Sequence, residues 1–178
     1  METDDALCRR LKGGDLSAFD DLYARYERPL FGFIRSYLHD AAEAEDVFHE
    51  AFMMVLRNKD ADLSRFRGWV YQTARNLCLN KLRSRQRGER ARLQLVDSSA
   101  RPSATPERQL EDRATAHALE KAVGELPNPL SEIFHLRASG MSYEEMAAVL
   151  EVPLGTVKSR MHEMVHQLRK DLRPWTAR

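Results

Sequence analysis

The sequence predicts an all-α protein made of two small helical domains joined by a flexible linker. Apolar residues recur every three or four positions through most of the chain, which is typical of amphipathic helices, and no stretch shows the alternation of a strand. Residues 93–106 interrupt this pattern with serine, alanine, aspartate and proline, a composition typical of a linker. We therefore place one domain at 1–92 and the other at 107–178.

The composition favours a soluble protein of the cytoplasm. Charged residues make up 31% of the chain and hydrophobic residues 43%, and no apolar run is long enough to span a bilayer. Acidic residues directly after Met1 do not fit a secretory signal, so we expect no membrane insertion. Cys8 and Cys78 lie far apart in sequence, which fits ordinary thiols in a reducing compartment.

Charge is segregated along the chain although the net charge is only +1. Residues 39–50 contain five acids and no Lys or Arg, whereas residues 81–92 contain six Lys or Arg and one acid. A uniform polyanion-binding surface is therefore excluded. An acidic end and a basic end of the first domain suggest two different partners.

The first domain is predicted to contain four helices. A short helix ends at Gly13-Gly14, a second carries a dense set of aromatic core residues, and a third opens at Asp40. Residues 58–67 break the periodicity and are predicted to form a polar loop. A fourth helix follows from Gly68.

The fourth helix combines aromatic, amide and basic side chains. In the predicted arrangement Trp69 faces the core, and one outer face carries Tyr71, Arg75, Asn76, Asn80 and Arg83. Such a mixture suits single-stranded nucleic acid, because unpaired bases stack on rings, amides bond to base edges and cations follow the backbone. A core tryptophan followed by a basic helix end explains the pattern equally well. The helix alone leaves both interpretations open.

The second domain is predicted to be a four-helix unit that ends in a helix-turn-helix. Ser142 and Glu145 have the spacing of a capping box, and Gly140 ends the helix before them. Glu151-Val152-Pro153 then interrupts the apolar period, and Pro153 suits the first turn of a new helix.

The last helix presents a polar face near its positively polarised N-terminus, where a helix that enters the major groove meets DNA. Its residues are Thr156, Lys158, Ser159, Arg160, His162 and Glu163. From Pro153 to the C-terminus there are six Lys or Arg against two acids. A small helix pair with a solvated charged face is the alternative interpretation.

Four sequence blocks resemble, in order, those of bacterial extracytoplasmic-function RNA polymerase sigma factors. They are GDLSAFDDLYARY, DVFHEAFMMVLR, FRGWVYQTARNLCLNKLR and, after the linker, LPNPLSEIFHLRASGMSYEEMAAVLEVPLGTVKSRMH. A single block is weak, since many regulators contain a helix-turn-helix, but four in order over nearly the whole chain are specific. The two domains then correspond to sigma regions two and four.

The resemblance implies a protein without enzymatic activity or cofactor that binds RNA polymerase core and promoter DNA and opens the duplex. In the family an acidic helix of region two docks on a coiled coil of the large polymerase subunit. Here that corresponds to Asp46 and Glu50, supported by Phe52 and Leu56. An anti-sigma factor often inhibits such proteins. We expect the linker to let the domains close on each other or on an inhibitor, hiding their DNA-binding faces.

The resemblance also implies two DNA contacts. The family captures a base flipped from the non-template strand at the minus-ten element, and the matching residues are Asp60, Leu63, Phe66, Asn76, Asn80 and Arg83. The last helix reads the minus-thirty-five element, and its candidate residues are Thr156, Lys158, Ser159, Arg160 and His162.

Two positions depart from the family pattern, since His49 stands where glutamine is common and Glu163 stands where arginine is common. Glu163 removes an expected cationic contact, so the preferred upstream sequence does not transfer. Residues 162–166 also match the HExxH motif of zinc proteases, but neither His nor Glu follows as a third ligand. The other alternative is a conventional helix-turn-helix regulator that acts without polymerase, which leaves the acidic helix unexplained.

Overall fold

The computed structural model describes residues 2–57, 65–93 and 112–176, and every regular element within these ranges is a helix. The helices are α1 (Asp4–Lys12), α2 (Ser17–Arg35), α3 (Ala41–Arg57), α4 (Phe66–Leu93), α5 (Asp112–Gly124), α6 (Asn128–Ala138), α7 (Tyr143–Leu150) and α8 (Leu154–Thr176). The predicted all-α fold is confirmed. No described helix combines the length and apolar character that crossing a bilayer requires.

Local hydrogen bonds and glycine mark the ends of the first helices. The Thr3 hydroxyl accepts a hydrogen bond from the Ala6 amide at the start of α1, and Gly14 follows its end with a φ of +93°, a value that favours glycine. At the start of α3 the Asp40 carboxylate accepts a hydrogen bond of 3.0 Å from the Glu43 amide. These local contacts fix the directions in which α1 and α3 leave their turns.

The first domain, α1–α4, is held together by aromatic side chains. The Tyr23 ring packs edge-on against Phe48 and Phe52, with ring centroids 5.0 and 5.1 Å apart. Tyr71 of α4 lies 5.1 Å from Phe33 in the same core and is fully buried. The prediction that α2 and α3 bury their aromatic residues is confirmed, but the prediction that Tyr71 faces outward is wrong.

The second domain, α5–α8, is the predicted four-helix unit. The Pro127 carbonyl accepts hydrogen bonds from the first free amides of α6, those of Leu130 and Ser131. On the inner side of α8, Val157 and Met164 are buried, and Met161 is half-buried against the core. This seam holds α8 against the rest of the domain and leaves its other side to solvent.

The two domains pack against each other, and their buried side chains form one continuous cluster. Helix α2 contacts α6, and α4 contacts α7. At the first contact Gly32 lies so close to His135 that a Cβ on Gly32 would be 2.9 Å from the imidazole Cε1 atom. The composition of residues 93–106 predicted two tethered domains, whereas the structure shows that they are docked. The linker itself falls almost entirely outside the described residues.

We predict that acid destabilises the packing around His135. Burial lowers the pKa of His135 to about 4 from 6.5, so the fold favours the neutral imidazole. Between pH 6.5 and pH 4 the imidazole is protonated in the unfolded chain but neutral in the folded protein. The folding stability is therefore fully present above pH 6.5 and is lost as the pH falls toward 4. This group alone should lower the free energy of unfolding by about 2 kcal/mol at pH 5 relative to pH 7.5.

Urea unfolding of the wild type and of His135→Phe across this pH range measures the effect. Phenylalanine keeps a ring against Gly32 but does not titrate, so its unfolding should depend less steeply on pH. His166→Phe is the control, because His166 is exposed on α8 and does not line the cavity at His135. Equal pH dependence in the wild type and His135→Phe would contradict the prediction. Arg35 and Glu120 line the same cavity as His135, and they are unchanged in both proteins.

Candidate polymerase and promoter interfaces

The acidic face predicted to bind polymerase lies on the outer side of α3. Asp46 and Glu50 are one helical turn apart and both are exposed. Met53 follows on the same side with 45% of its surface exposed, which is unusual for a large apolar residue. An apolar side chain flanked by charges is a common arrangement in the core and rim of protein interfaces. Sequence reasoning missed Met53, although its spacing of three from Glu50 and seven from Asp46 places it on this face.

The two supporting residues of this face differ in exposure. Phe52 is 1% exposed and packs against Phe19 and Tyr23, so it stiffens α3 from inside and does not belong to the binding surface. This corrects the expectation for Phe52, and the reason is its position on the side of α3 that faces α2. Leu56 is half-buried and keeps part of its surface accessible.

His49 is held in place beside Glu50. Its Nε2 atom lies 3.1 Å from the Tyr23 hydroxyl, and the two rings are nearly parallel at 17°. The position at which the family commonly has glutamine therefore still presents a polar group that is oriented by a neighbouring helix.

The acidic and basic segments of the first domain partly neutralise each other. Lys81 Nζ lies 3.2 Å from Asp46 Oδ2, and Arg85 Nη2 lies 2.6 Å from Glu43 Oε2. The Asp46 side chain is 75% exposed, so its ion pair contributes little stability. A cation on a partner can therefore replace Lys81 at low cost. The sequence predicts an acidic end and a basic end of the first domain. This prediction is only partly right, because the acidic residues of α3 and the basic residues of α4 lie on neighbouring helices and pair with each other.

One outer stripe of α4 carries the predicted minus-ten contacts. Asn76, Asn80 and Arg83 are exposed, and they follow each other at helical spacing. Trp69 is half-buried and lies seven residues before Asn76, so it belongs to this stripe. The aromatic ring that accompanies the amides is therefore Trp69 and not Tyr71. The spacing of seven was the signal in the sequence that could have shown this.

Phe66, another of the minus-ten candidates, does not lie on this surface. Phe66 is 1% exposed, and its ring centroid lies 5.2 Å from Tyr26 and 6.5 Å from Trp69. Phe66 therefore packs against Trp69 from the core side. This corrects the expectation that Phe66 contacts DNA. Asp60 and Leu63 lie outside the described residues.

The helix-turn-helix has the predicted local structure. The Ser142 hydroxyl accepts a hydrogen bond of 3.1 Å from the Glu145 amide, and the Glu145 carboxylate accepts one of 2.7 Å from the Ser142 amide. Helix α7 ends at Glu151, which has a left-handed conformation with a φ of 56°. The Pro153 carbonyl then accepts hydrogen bonds from the Thr156 and Val157 amides and starts α8. The predicted capping box of α7 and the predicted start of a new helix at Pro153 are confirmed.

The outer face of α8 is accessible. Lys158, Ser159 and His162 are exposed, while Thr156 and Arg160 are half-buried. The Ser159 hydroxyl donates a hydrogen bond of 3.0 Å to the Thr156 carbonyl. The candidate residues therefore form one polar surface at the N-terminal half of the helix.

The expected concealment of the DNA-binding faces is wrong for this structure. Asn76 and Lys158 remain exposed even though the two domains are docked. The contact between the domains uses other sides of α4 and of the helix-turn-helix.

The described part of the chain contains no group of three or more His, Cys, Asp or Glu side chains placed to hold a metal ion. His162 and His166 of the HExxH match are exposed on α8. Nothing in the arrangement of these residues favours a zinc hydrolase.

Comparison with known families matches both domains. The model described as Sigma-70 region 2 matches residues 22–88, and the model described as Sigma-70, region 4 matches residues 116–163. Over 192 aligned positions the chain is 35% identical to the RNA polymerase sigma-H factor of Pseudomonas aeruginosa, with 98% of this chain and 96% of the relative covered. The chain belongs to the extracytoplasmic-function family of RNA polymerase sigma factors.

Other relatives agree with this assignment. The sigma factor is 28% identical to the ECF RNA polymerase sigma-E factor of Haemophilus influenzae, with 97% of this chain and 96% of the relative covered. It is 27% identical to the ECF RNA polymerase sigma factor SigW of Bacillus subtilis, with 93% and 94% covered. As a member of this family it binds RNA polymerase core, recognises promoter DNA and promotes strand opening. The relatives favour this function over that of a regulator that acts without polymerase.

Solved structures share the fold. The sigma factor RpoE in complex with the anti-sigma factor NepR from Bartonella quintana aligns with a TM-score of 0.65 at 24% identity, covering 90% of this chain and 98% of that one. CnrH in complex with the cytosolic domain of CnrY aligns with a TM-score of 0.63 at 24% identity, covering 97% and 99%. At this identity the likeness supports the helical fold.

We predict that the capping box stabilises the helix-turn-helix. Ser142→Ala removes the acceptor of the Glu145 amide and should lower the free energy of unfolding by about 1 kcal/mol in a urea titration. Ser142→Asp keeps an acceptor and should stay near the wild type, and Ser84→Ala on the exposed side of α4 is a control for the loss of a hydroxyl. If Ser142→Ala were as stable as the wild type, the cap would not stabilise α7.

Proposed function

We propose that this sigma factor uses three separate surfaces during initiation. The outer face of α3 binds polymerase core, the outer stripe of α4 binds the opened minus-ten element, and the outer face of α8 binds the duplex at the minus-thirty-five element. The domains extend over 1–92 and 107–178. The observation that carries the proposal is that all three surfaces are accessible while the apolar sides of the same helices are buried.

The polymerase surface combines charge with one apolar contact. Asp46 and Glu50 attract a basic partner, and Met53 supplies the apolar area that such an interface needs at its centre. Phe52 holds α3 rigid behind them, so little conformational entropy is lost on binding. An acidic face with these properties suits a basic helical segment of the large polymerase subunit.

The α4 stripe suits an unpaired base. The Trp69 ring offers a stacking surface, the Asn76 and Asn80 amides offer both donors and acceptors, and Arg83 offers a cation for the phosphates. Flipping a base costs a few kcal/mol, and stacking and edge contacts of this kind offset it. Because α4 is a neighbour of α3, strand separation takes place next to the polymerase contact.

The α8 face suits the major groove. Lys158 and Arg160 supply the positive charge that phosphates and guanine edges attract, and Ser159 and His162 add further hydrogen-bonding groups. Glu163 is exposed on the same helix. A carboxylate there repels phosphate and accepts hydrogen bonds from cytosine, so it favours a different upstream sequence from an arginine.

Three further features belong to the proposal. The protein has no catalytic activity of its own, because binding energy alone performs recognition and melting. It works in the cytoplasm, where polymerase and promoters are. An anti-sigma factor binds it, as NepR binds the sigma factor RpoE in the Bartonella quintana complex.

We predict that Asp46→Arg combined with Glu50→Arg abolishes polymerase binding. Two charge reversals on one face oppose a basic partner directly, so the affinity for sigma-free bacterial core polymerase should fall at least about a hundredfold in a pull-down or fluorescence titration. Open-complex formation on a promoter, detected by permanganate reactivity of unpaired thymines, should fall with it.

The matched control is Glu27→Arg combined with Glu125→Arg, which makes the same charge change at two exposed positions elsewhere. It should bind core polymerase like the wild type. Full binding and melting by the Asp46→Arg, Glu50→Arg protein would show that α3 is not the docking surface. Absence of open complexes with wild-type protein and a range of promoters would refute the proposed function itself.

We predict that the two DNA surfaces have separable effects. Lys158→Ala combined with Arg160→Ala should weaken holoenzyme binding to duplex minus-thirty-five DNA about tenfold or more, because each contact contributes about 1–3 kcal/mol. Asn76→Ala should leave that duplex binding unchanged and reduce the yield of open complexes about tenfold. The same defect in both proteins would contradict the division between the domains.

A further inference from the structure

Two large apolar side chains of the first domain are exposed to solvent. Leu16, in the turn between α1 and α2, has 65% of its surface exposed, the largest value for such a residue in the described part of the chain. Met53 of α3 has 45% exposed. A single exposed apolar residue is ordinary on a protein surface, whereas neighbouring ones indicate a contact with a partner.

The local structure of the turn does not account for leucine at position 16. Leu16 occupies the N-cap of α2, where a polar side chain is preferred, and its side chain makes no capping hydrogen bond. Asp15 serves this purpose, because its carboxylate accepts a hydrogen bond of 3.0 Å from the Ser17 amide. The Leu16 side chain is also not part of the hydrophobic core. Neither capping nor packing therefore explains it.

Aromatic contacts fix the register between α2 and α3. The Tyr23 ring centroid lies 5.0 Å from that of Phe48. Phe19, four residues earlier on α2, lies 5.8 Å from Phe52, which is four residues later on α3. The two helices are therefore antiparallel, and each step back along α2 is matched by an equal step forward along α3.

This register places Leu16 beside Leu56. Leu16 lies seven residues before Tyr23, and Leu56 lies seven residues after His49, whose ring stacks on Tyr23. Seven residues are close to two helical turns, so each leucine lies on the same side of its helix as its member of the stacked pair. Met53 is one turn before Leu56 and borders it on the surface of α3. Leu16, Met53 and the half-buried Leu56 thus form one apolar patch.

The apolar patch continues the acidic face of α3. Met53 follows the exposed Glu50 by three residues, and on α2 the exposed Asp20 follows Leu16 by four. Each exposed apolar side chain therefore has a carboxylate about one helical turn away. The same combination on two neighbouring helices suits one partner that presents both basic and apolar side chains.

We propose that the apolar patch is the second half of the polymerase-binding surface, which thus extends from α3 to the start of α2. Its occupant is the basic helical segment of the large polymerase subunit. Apolar side chains of that segment lie on the patch while its cations meet Asp46 and Glu50. The inference rests on the docking role proposed above for α3. Charges steer the partner into place, and the patch adds affinity that salt does not screen.

The affinity of the full-length protein for sigma-free bacterial core polymerase tests this inference. Leu16→Asn removes the apolar side chain but supplies a good N-cap, so urea unfolding should show no loss of stability. It should bind core polymerase about tenfold more weakly, as expected for an apolar residue in an interface. Leu16→Met keeps an apolar side chain and should recover most of the affinity. Leu119→Asn makes the same change at an exposed apolar position of α5 and should bind like the wild type.

Salt separates the two halves of the surface. The binding defect of the Asp46→Arg, Glu50→Arg protein should shrink as the salt concentration rises, because salt screens exposed charges. The defect of Leu16→Asn should keep its size. Benzoylphenylalanine in place of Leu16 should cross-link to the large polymerase subunit on irradiation, and the same group in place of Leu119 should not.

The inference is overturned if Leu16→Asn binds core polymerase as tightly as the wild type. It is also overturned if sedimentation shows a wild-type dimer that Leu16→Asn converts to a monomer, because the patch would then join two copies of this chain. Failure of the docking role proposed for α3 is distinguishable. In that case the Asp46→Arg, Glu50→Arg protein itself would bind core polymerase fully.

Discussion

Helix α4 is the element on which the rest of the structure depends, because its three sides serve three purposes. Tyr71, Ala74 and Cys78 are buried in the aromatic core. The stripe from Trp69 to Arg83 faces solvent, and Gln72 and Arg75 reach the second domain. A helix is rigid over this length, so the core that fixes one side also fixes the directions of the other two. Any change in the packing of Tyr71 is therefore transmitted to the exposed stripe and to the domain contact.

Oppositely charged side chains of this sigma factor pair within the chain at two kinds of site. Asp46 is paired with Lys81 at the surface, where exchange for another cation costs little. Arg75 is paired with Glu151, and the Arg75 side chain is only 17% exposed. Surface pairing keeps the acidic face available, while the less exposed pairing gives the domains a preferred arrangement. The low net charge of +1 follows from this internal balance and does not weaken local attraction.

Docking of the two domains combines apolar and polar contacts. Buried side chains of both domains form one cluster, and Gly32 of α2 lies directly against His135 of α6. Gln72 of α4 adds a hydrogen bond to Glu151 at the end of α7. The outer stripe of α4 and the outer face of α8 remain exposed beside these contacts.

The sequence by itself determined the helices, the capping box of Ser142 and Glu145, the acidic face of Asp46 and Glu50, and the family, because these depend on local spacing and on motifs read along the chain. It assigned Tyr71 to the wrong side of α4, since residues two positions apart lie about 200° apart around a helix and Trp69 is aromatic as well. Phe52 and Phe66 are buried, so they support the exposed residues from within the core. The docking of the domains was decided only by tertiary structure. Its contacts join residues 73 and 79 positions apart, and no local pattern records which surfaces meet across a linker.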